Sequence, residues 1–280
     1  MDVIAEELAF PEGPVVMSDG SVIVVEIMGG RITRCWNGRK ETICEIGGGP
    51  NGLAIGPDGA LWVCNNGGMG EHAEGGAGRI ERVDLATGKF ERVCDACDGK
   101  KLHGPNDLVF DSSGRLWFTD FGKNEGDTRL VGGLYTCMAD GSEITRIYDR
   151  PVAYNGIGLS PDENHVYVAD TGQARIYRFD NRAEAQQPQY VATAMGPIGF
   201  DSLAVTAAGN VCVGTVFEGG VATITPQGEV TMLRIEEDPY VTNIAFGGDD
   251  MRDAFITLSG TGRLVRMRWD EPGLKLAFNA

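Results

Sequence analysis

Residues 105–120 read PNDLVFDSSGRLWFTD: an apolar strand, a tight D-S-S-G turn, and a second strand rich in aromatic and β-branched residues. The same phrase recurs along the chain as PEGPVVMSDGSVIVVE (11–26), PNGLAIGPDGALWVC (50–64), YNGIGLSPDENHVYVAD (154–170), FDSLAVTAAGNVCVGT (200–215) and TNIAFGGDDMRDAFIT (242–257). A third strand follows in copies such as GRIERVD, GGLYTCM and ARIYRFD. Matching Glu12, Asn51, Asn106, Asn155, Asp201 and Asn243 gives spacings of 39, 55, 49, 46 and 42 residues, the length of a four-stranded propeller blade. One small antiparallel sheet cannot bury both faces alone, so the units stack radially and close a ring. The expectation is all-β: a single six-bladed β-propeller domain over residues 1–280. Either VIAEELAF near the N-terminus or KLAF near the C-terminus supplies the outer strand of the last blade.

The longest spacing encloses the glycine-rich stretch from Asn65 to Gly78, which has no periodicity and reads as a long loop between the second and third strands of a blade. It either covers one mouth of the central channel or is a tolerated insertion.

Composition narrows the function. The formal charge of −16 would repel a phosphate backbone, which argues against a nucleic-acid partner and favours a cation in a pocket. No leader pattern opens the chain and no apolar run reaches the ~20 residues of a membrane span, so a soluble, cytoplasmic protein without a membrane partner is expected. No oligomeric partner is implied. Seven cysteines, an odd number lying mostly in strand-like stretches, suit reduced buried thiols. Cys94 and Cys97 form a lone C-x-x-C; with no second pair or nearby histidines they read as ordinary thiols.

In a propeller the first strand of each blade lines the channel, so the residue just before it, the matched position, points toward the axis and the six converge. They carry two carboxylates and four amides, with no lysine, arginine or apolar residue among them. Oxygen-only donors select hard cations, and mixed carboxylate and amide oxygens suit calcium, with manganese, magnesium or zinc as the other candidate ions. Asn and Asp also cap turns, but Glu12 has no such turn chemistry. The nucleophile-elbow, Walker, H-E-x-x-H and dinucleotide patterns are missing.

At these positions the sequence resembles the gluconolactonase and regucalcin (senescence marker protein) lactonases, with diisopropyl fluorophosphatase as a structural relative. The carriers are PEGPV, GPNDLVFDSSGRLWFTD, YNGIGLSPD and FDSLAV, and the likeness covers nearly the whole chain. The resemblance implies metal ligands at Glu12, Asn155 and Asp201, with Asn106 completing the set or reaching the metal through water and substrate. Asn51 and Asn243 have less support, and no last-blade histidine is available for a second calcium.

The chemistry expected is hydrolysis of a small lactone to a hydroxy acid, with the metal as Lewis acid and Asp201 as the base that activates water. Substrate contacts are expected from Asn106, Asn51, His103 and His72. Asn124, Glu125 and Arg129 of FGKNEGDTR are further candidates, and His165 reads as structural. Gly104 stands where animal members carry a sugar-contacting arginine, so a sugar-acid lactone is not assured. The alternatives are a phosphotriesterase or fluorophosphatase, and a non-catalytic binding propeller braced by calcium.

Overall fold

The computed structural model describes residues 1–68 and 78–278. Six four-stranded antiparallel sheets surround a central axis as the blades of a propeller. Their inner strands are Pro11–Val16, Pro50–Ile55, Pro105–Phe110, Tyr154–Leu159, Gly199–Val205 and Val241–Gly247. Each packs against the next, and the last packs against the first, which closes the ring.

Burial falls from the axis outward and explains the composition of each strand. Val22–Glu26, a second strand, is buried at every residue, whereas Arg39–Cys44 at the rim of the same blade is mostly exposed. Strands covered on both faces need continuous apolar runs, and rim strands can carry charge. The core therefore lies between blades. Trp62 of blade 2 meets Phe110 of blade 3 edge-on at 5.3 Å, and Tyr148 of blade 3 meets Phe179 of blade 4 at 6.0 Å. The turns joining first and second strands form as their Asp residues direct: Asp19, Asp58, Asp111 and Asp162 each accept a hydrogen bond from the backbone N–H two residues on.

Of the two candidate latches, the N-terminal one closes the ring. Asp2–Ala5 pairs with Arg263–Arg268 through Asp2↔Arg266 and Val3↔Val265, and becomes the fourth strand of blade 6. The C-terminal segment does something else. Gly273 and Leu274 donate backbone hydrogen bonds to Met251 and Val205. Leu274, Leu276 and Phe278 then line one end of the channel, where Phe278 meets Phe110 edge-on at 6.2 Å. The long connection of blade 2 does run between its second and third strands, Leu61–Asn65 and Arg79–Val83. Its residues 69–77, with His72, lie outside the described residues. No helix is long and apolar enough to cross a membrane among the described residues.

Candidate functional site

Every inner strand is interrupted by a register shift within one residue of the matched position. Pairing skips between Glu12 and Val15, Pro50 and Leu53, Pro105 and Leu108, Tyr154 and Ile157, Phe200 and Leu203, and Val241 and Asn243. A bulge re-aims a side chain that regular pleating would point into the blade. The acceptors thus sit inside the strand at its bulge, rather than just before it. Glu12, Asn51, Asn106, Asn155 and Asp201 all line one polar cavity of about 510 Å³. Gly13, Gly52 and Gly156 permit the bulges: a Cβ on each would come within 2.8 Å of the next blade's backbone.

Blade 6 departs from the expected phase by one residue. The pairing aligns Thr242, not Asn243, with Asn106, and Thr242 lines the cavity. Asn243 lies one layer deeper, level with Asp107, and its amide donates to Glu12 Oε2 at 2.6 Å. Asp107 was not singled out by the sequence. It is buried, accepts from Leu108 N at 2.9 Å and Ile157 N at 3.4 Å, and shares a hydrogen bond with Ser202. Its sequence signal was the acid in P-N-D, where the matched blades 1, 2 and 4 have glycine.

Three carboxylates therefore share the channel. Burial pushes Glu12 up from 4.5 to about 7, against hydrogen bonds from Asn243 and Gly13. Burial and then the charge of Glu12 raise Asp107 from 3.8 to about 8 and hold Asp201 well above the usual carboxylate range. No lysine or arginine charge acts strongly on any of the three. Two buried oxygens, Glu12 Oε1 and Asn106 Oδ1, lack a hydrogen-bond donor among the described residues. Unpaired acceptors beside uncompensated carboxylates fit a hard cation, and Glu12, Asn106, Asn155 and Asp201 are the residues able to hold one. Asn155 is positioned through its side chain, which donates to Thr171 Oγ1 at 3.2 Å and accepts from Ser202 Oγ at 3.3 Å.

A second set of buried polar groups ends the second strands. Glu26 accepts from Ala9 N, Arg31 and Thr33, and Asp120 accepts from His103 N, Gly104 N and Gly122 N. Asn65 accepts from Gly49 N and Gly67 N. These side chains satisfy the backbone of the loops that build the cavity rim.

At that rim, the hairpin Lys123–Glu125 with Thr128–Leu130 stands beside Gly104. A Cβ at Gly104 would lie 2.6 Å from the carbonyl oxygen of Gly122, so no side chain fits there. Lys123, Asn124 and Arg129 line the cavity instead, while Glu125 is exposed and outside that lining. The Arg129 guanidinium lies over the Phe121 ring at 4.9 Å and donates to the Phe121 carbonyl and to Asn124 Oδ1. His103 also lines the cavity. His165 stands away from it, facing Asp180 at 3.5 Å. All seven cysteines are free; Cys94 hydrogen-bonds Cys137, and Cys97 donates to the Ile144 carbonyl.

Below the three carboxylates the channel continues as an apolar cavity of about 140 Å³, closed by Leu274, Leu276 and Phe278. Apart from Asp107 and Asn243 its side-chain walls are apolar, which leaves chemistry to the polar end.

Residues 10–260 match the family model described as SMP-30/Gluconolactonase/LRE-like region. A gluconolactonase of Zymomonas mobilis is 31% identical over 210 residues, covering 65% of this chain and 55% of that protein. The chain thus spans little more than half the length of such curated relatives. A solved gluconolactonase from Xanthomonas campestris superposes with a TM-score of 0.79 at 23% identity, over 95% of this chain and 88% of that one. Regucalcin from Agrobacterium tumefaciens, a calcium-binding protein, does so with a TM-score of 0.74 at 19% identity, over 99% and 100%. The match over most of its length shows that the chain belongs to the SMP-30/gluconolactonase/LRE-like family.

Proposed function

We propose that the protein is a metal-dependent lactonase that opens a small lactone to a hydroxy acid. The observation that carries this reading is the pair of unpaired buried oxygens, Glu12 Oε1 and Asn106 Oδ1, at the floor of a polar cavity that also holds Asp201. Curated members similar to this chain are a gluconolactonase and lactonases, which supports the reaction class.

Glu12, Asn106, Asn155 and Asp201 would hold one divalent ion, calcium first. When bound, the ion supplies a Lewis acid for the lactone carbonyl and positive charge for the oxyanion. Asp201 is the base. Unlike Glu12 it is partly exposed, and it lines the cavity, where its carboxylate can take a proton from water as the water oxygen attacks the carbonyl carbon. That proton passes to the ring oxygen as its bond to the carbonyl carbon breaks, which leaves a hydroxyl and a carboxylic acid that releases its remaining proton to solvent. Asn51 and His103 contact the substrate from the wall, and Lys123, Asn124 and Arg129 from the rim.

The test is acid release from a panel of lactones by chelator-stripped protein before and after calcium, manganese, magnesium or zinc. Metal-restored hydrolysis is expected. Metal binding with no turnover on any lactone would overturn the reading, and turnover of a fluorophosphonate alone would replace it with the phosphotriesterase one.

A further inference from the structure

Three aromatic rings run outward from the cavity wall. Phe10 lines the polar cavity beside Ile27. Its ring meets that of Tyr240 at 6.3 Å, and Tyr240 meets Phe217 at a further 6.3 Å. The outer two are open to solvent, Tyr240 at 39% and Phe217 at 61%.

Both phenylalanines have left-handed backbones, with φ of 61° at Phe10 and 80° at Phe217. Bulky residues rarely adopt that conformation, and glycine or asparagine would serve the turns better. The strip is also firmly held. Glu26, buried, accepts from Ala9 N at 2.7 Å, and the Phe10 carbonyl accepts from Ile27 N at 3.1 Å. Asp238, fully buried, accepts from Tyr240 N at 2.8 Å, and Tyr240 bridges to Val216 beside Phe217. Buried acids thus fix the backbone that presents solvated aromatic rings.

We propose that Phe10, Tyr240 and Phe217 form an apolar subsite for a hydrophobic substituent of the lactone. The inference rests on the lactonase reading and adds a substrate class: alkyl- or aryl-substituted lactones rather than polyhydroxylated ones. The occupant is part of the substrate because the strip is continuous with the cavity through Phe10. Across the mouth, Lys123, Asn124 and Arg129 offer polar donors, so the two sides sort the polar and apolar parts of a ligand and orient the ring between them.

The experiment compares kcat/KM for γ-butyrolactone and its γ-ethyl, γ-butyl and γ-hexyl derivatives. Burial against one face of a strip should raise it about twofold per methylene. Phe217→Asn keeps a residue that tolerates the left-handed turn and removes the ring; it and Tyr240→Ala should flatten that dependence. Tyr190→Ala, an exposed aromatic on the outer strand of blade 4, should preserve it. Calorimetric binding of the matching γ-alkyl lactams gives a readout free of turnover. If no lactone is hydrolysed, the lactonase reading fails while the lactam series still decides the strip. A flat chain-length dependence in the unsubstituted protein, or one that Phe217→Asn and Tyr240→Ala leave intact, overturns the subsite.

Discussion

The Asn243 amide donates to Glu12 Oε2 at 2.6 Å, joining residues 231 positions apart at the seam where the last blade meets the first. The same bond leaves Glu12 Oε1 as the oxygen without a donor, so ring closure and the free face of the carboxylate are set together.

Asn243→Ala should therefore weaken metal binding by about 10-fold or more, as loss of a group orienting a ligand does. Calorimetric titration with calcium checks it. Removing one of the donors to this buried carboxylate oxygen, with the Gly13 N–H remaining, should also destabilise the metal-free fold by about 1–3 kcal/mol, read by denaturant unfolding.

Glu12→Gln and Asp201→Asn should each abolish metal-dependent hydrolysis while preserving the far-ultraviolet dichroism of a β protein. Glu12→Gln should also raise the melting temperature of the chelated protein near pH 8, because it removes a buried charge that lacks a cation. Full activity in either variant would refute the site.

The chelated protein should lose stability as pH rises from about 4.5 to about 8. Glu12 and Asp107 have folded proton affinities raised from 4.5 to about 7 and from 3.8 to about 8. Between the unfolded and folded values the native state holds more protons than the unfolded state, so stability is full below the window and falls through it, by on the order of a few kcal/mol. Melting temperatures across this range, with and without calcium, test it: the gain from calcium should be larger at pH 8 than at pH 5. Asp107→Asn should shrink the pH-dependent loss.

Gly104→Ala should displace the hairpin, since its Cβ would fall 2.6 Å from the Gly122 carbonyl oxygen. A loss of about 1–3 kcal/mol is expected from such overpacking. KM should rise more than kcat falls, because the hairpin carries rim residues and not the floor.

Removing residues 273–280 should open the apolar end of the channel and lower the melting temperature without abolishing metal binding at the polar end. Leu274, Leu276 and Phe278 close that end, whereas Glu12, Asn106, Asn155 and Asp201 line the other cavity. Calcium titration and thermal unfolding of the truncated chain separate the two effects.

The blades were legible in sequence because their signals are local: apolar runs such as VIVVE and Asp-led turns such as Pro57-Asp58-Gly59 act within a few residues. Five channel acceptors, Glu12, Asn51, Asn106, Asn155 and Asp201, were legible for the same reason, since each sits at a fixed offset from its turn. The sixth was not. Thr242 and Asn243 differ by one residue, and only the register of the bulge decides which faces the cavity. Asp107 was hidden too, because a carboxylate's environment depends on Glu12 and Asp201 arriving from other blades. The last-blade latch and the exclusion of any side chain at Gly104 likewise depend on segments distant in sequence. Turn chemistry and strand periodicity belong to the sequence; burial, register and charge proximity exist only once the ring has closed.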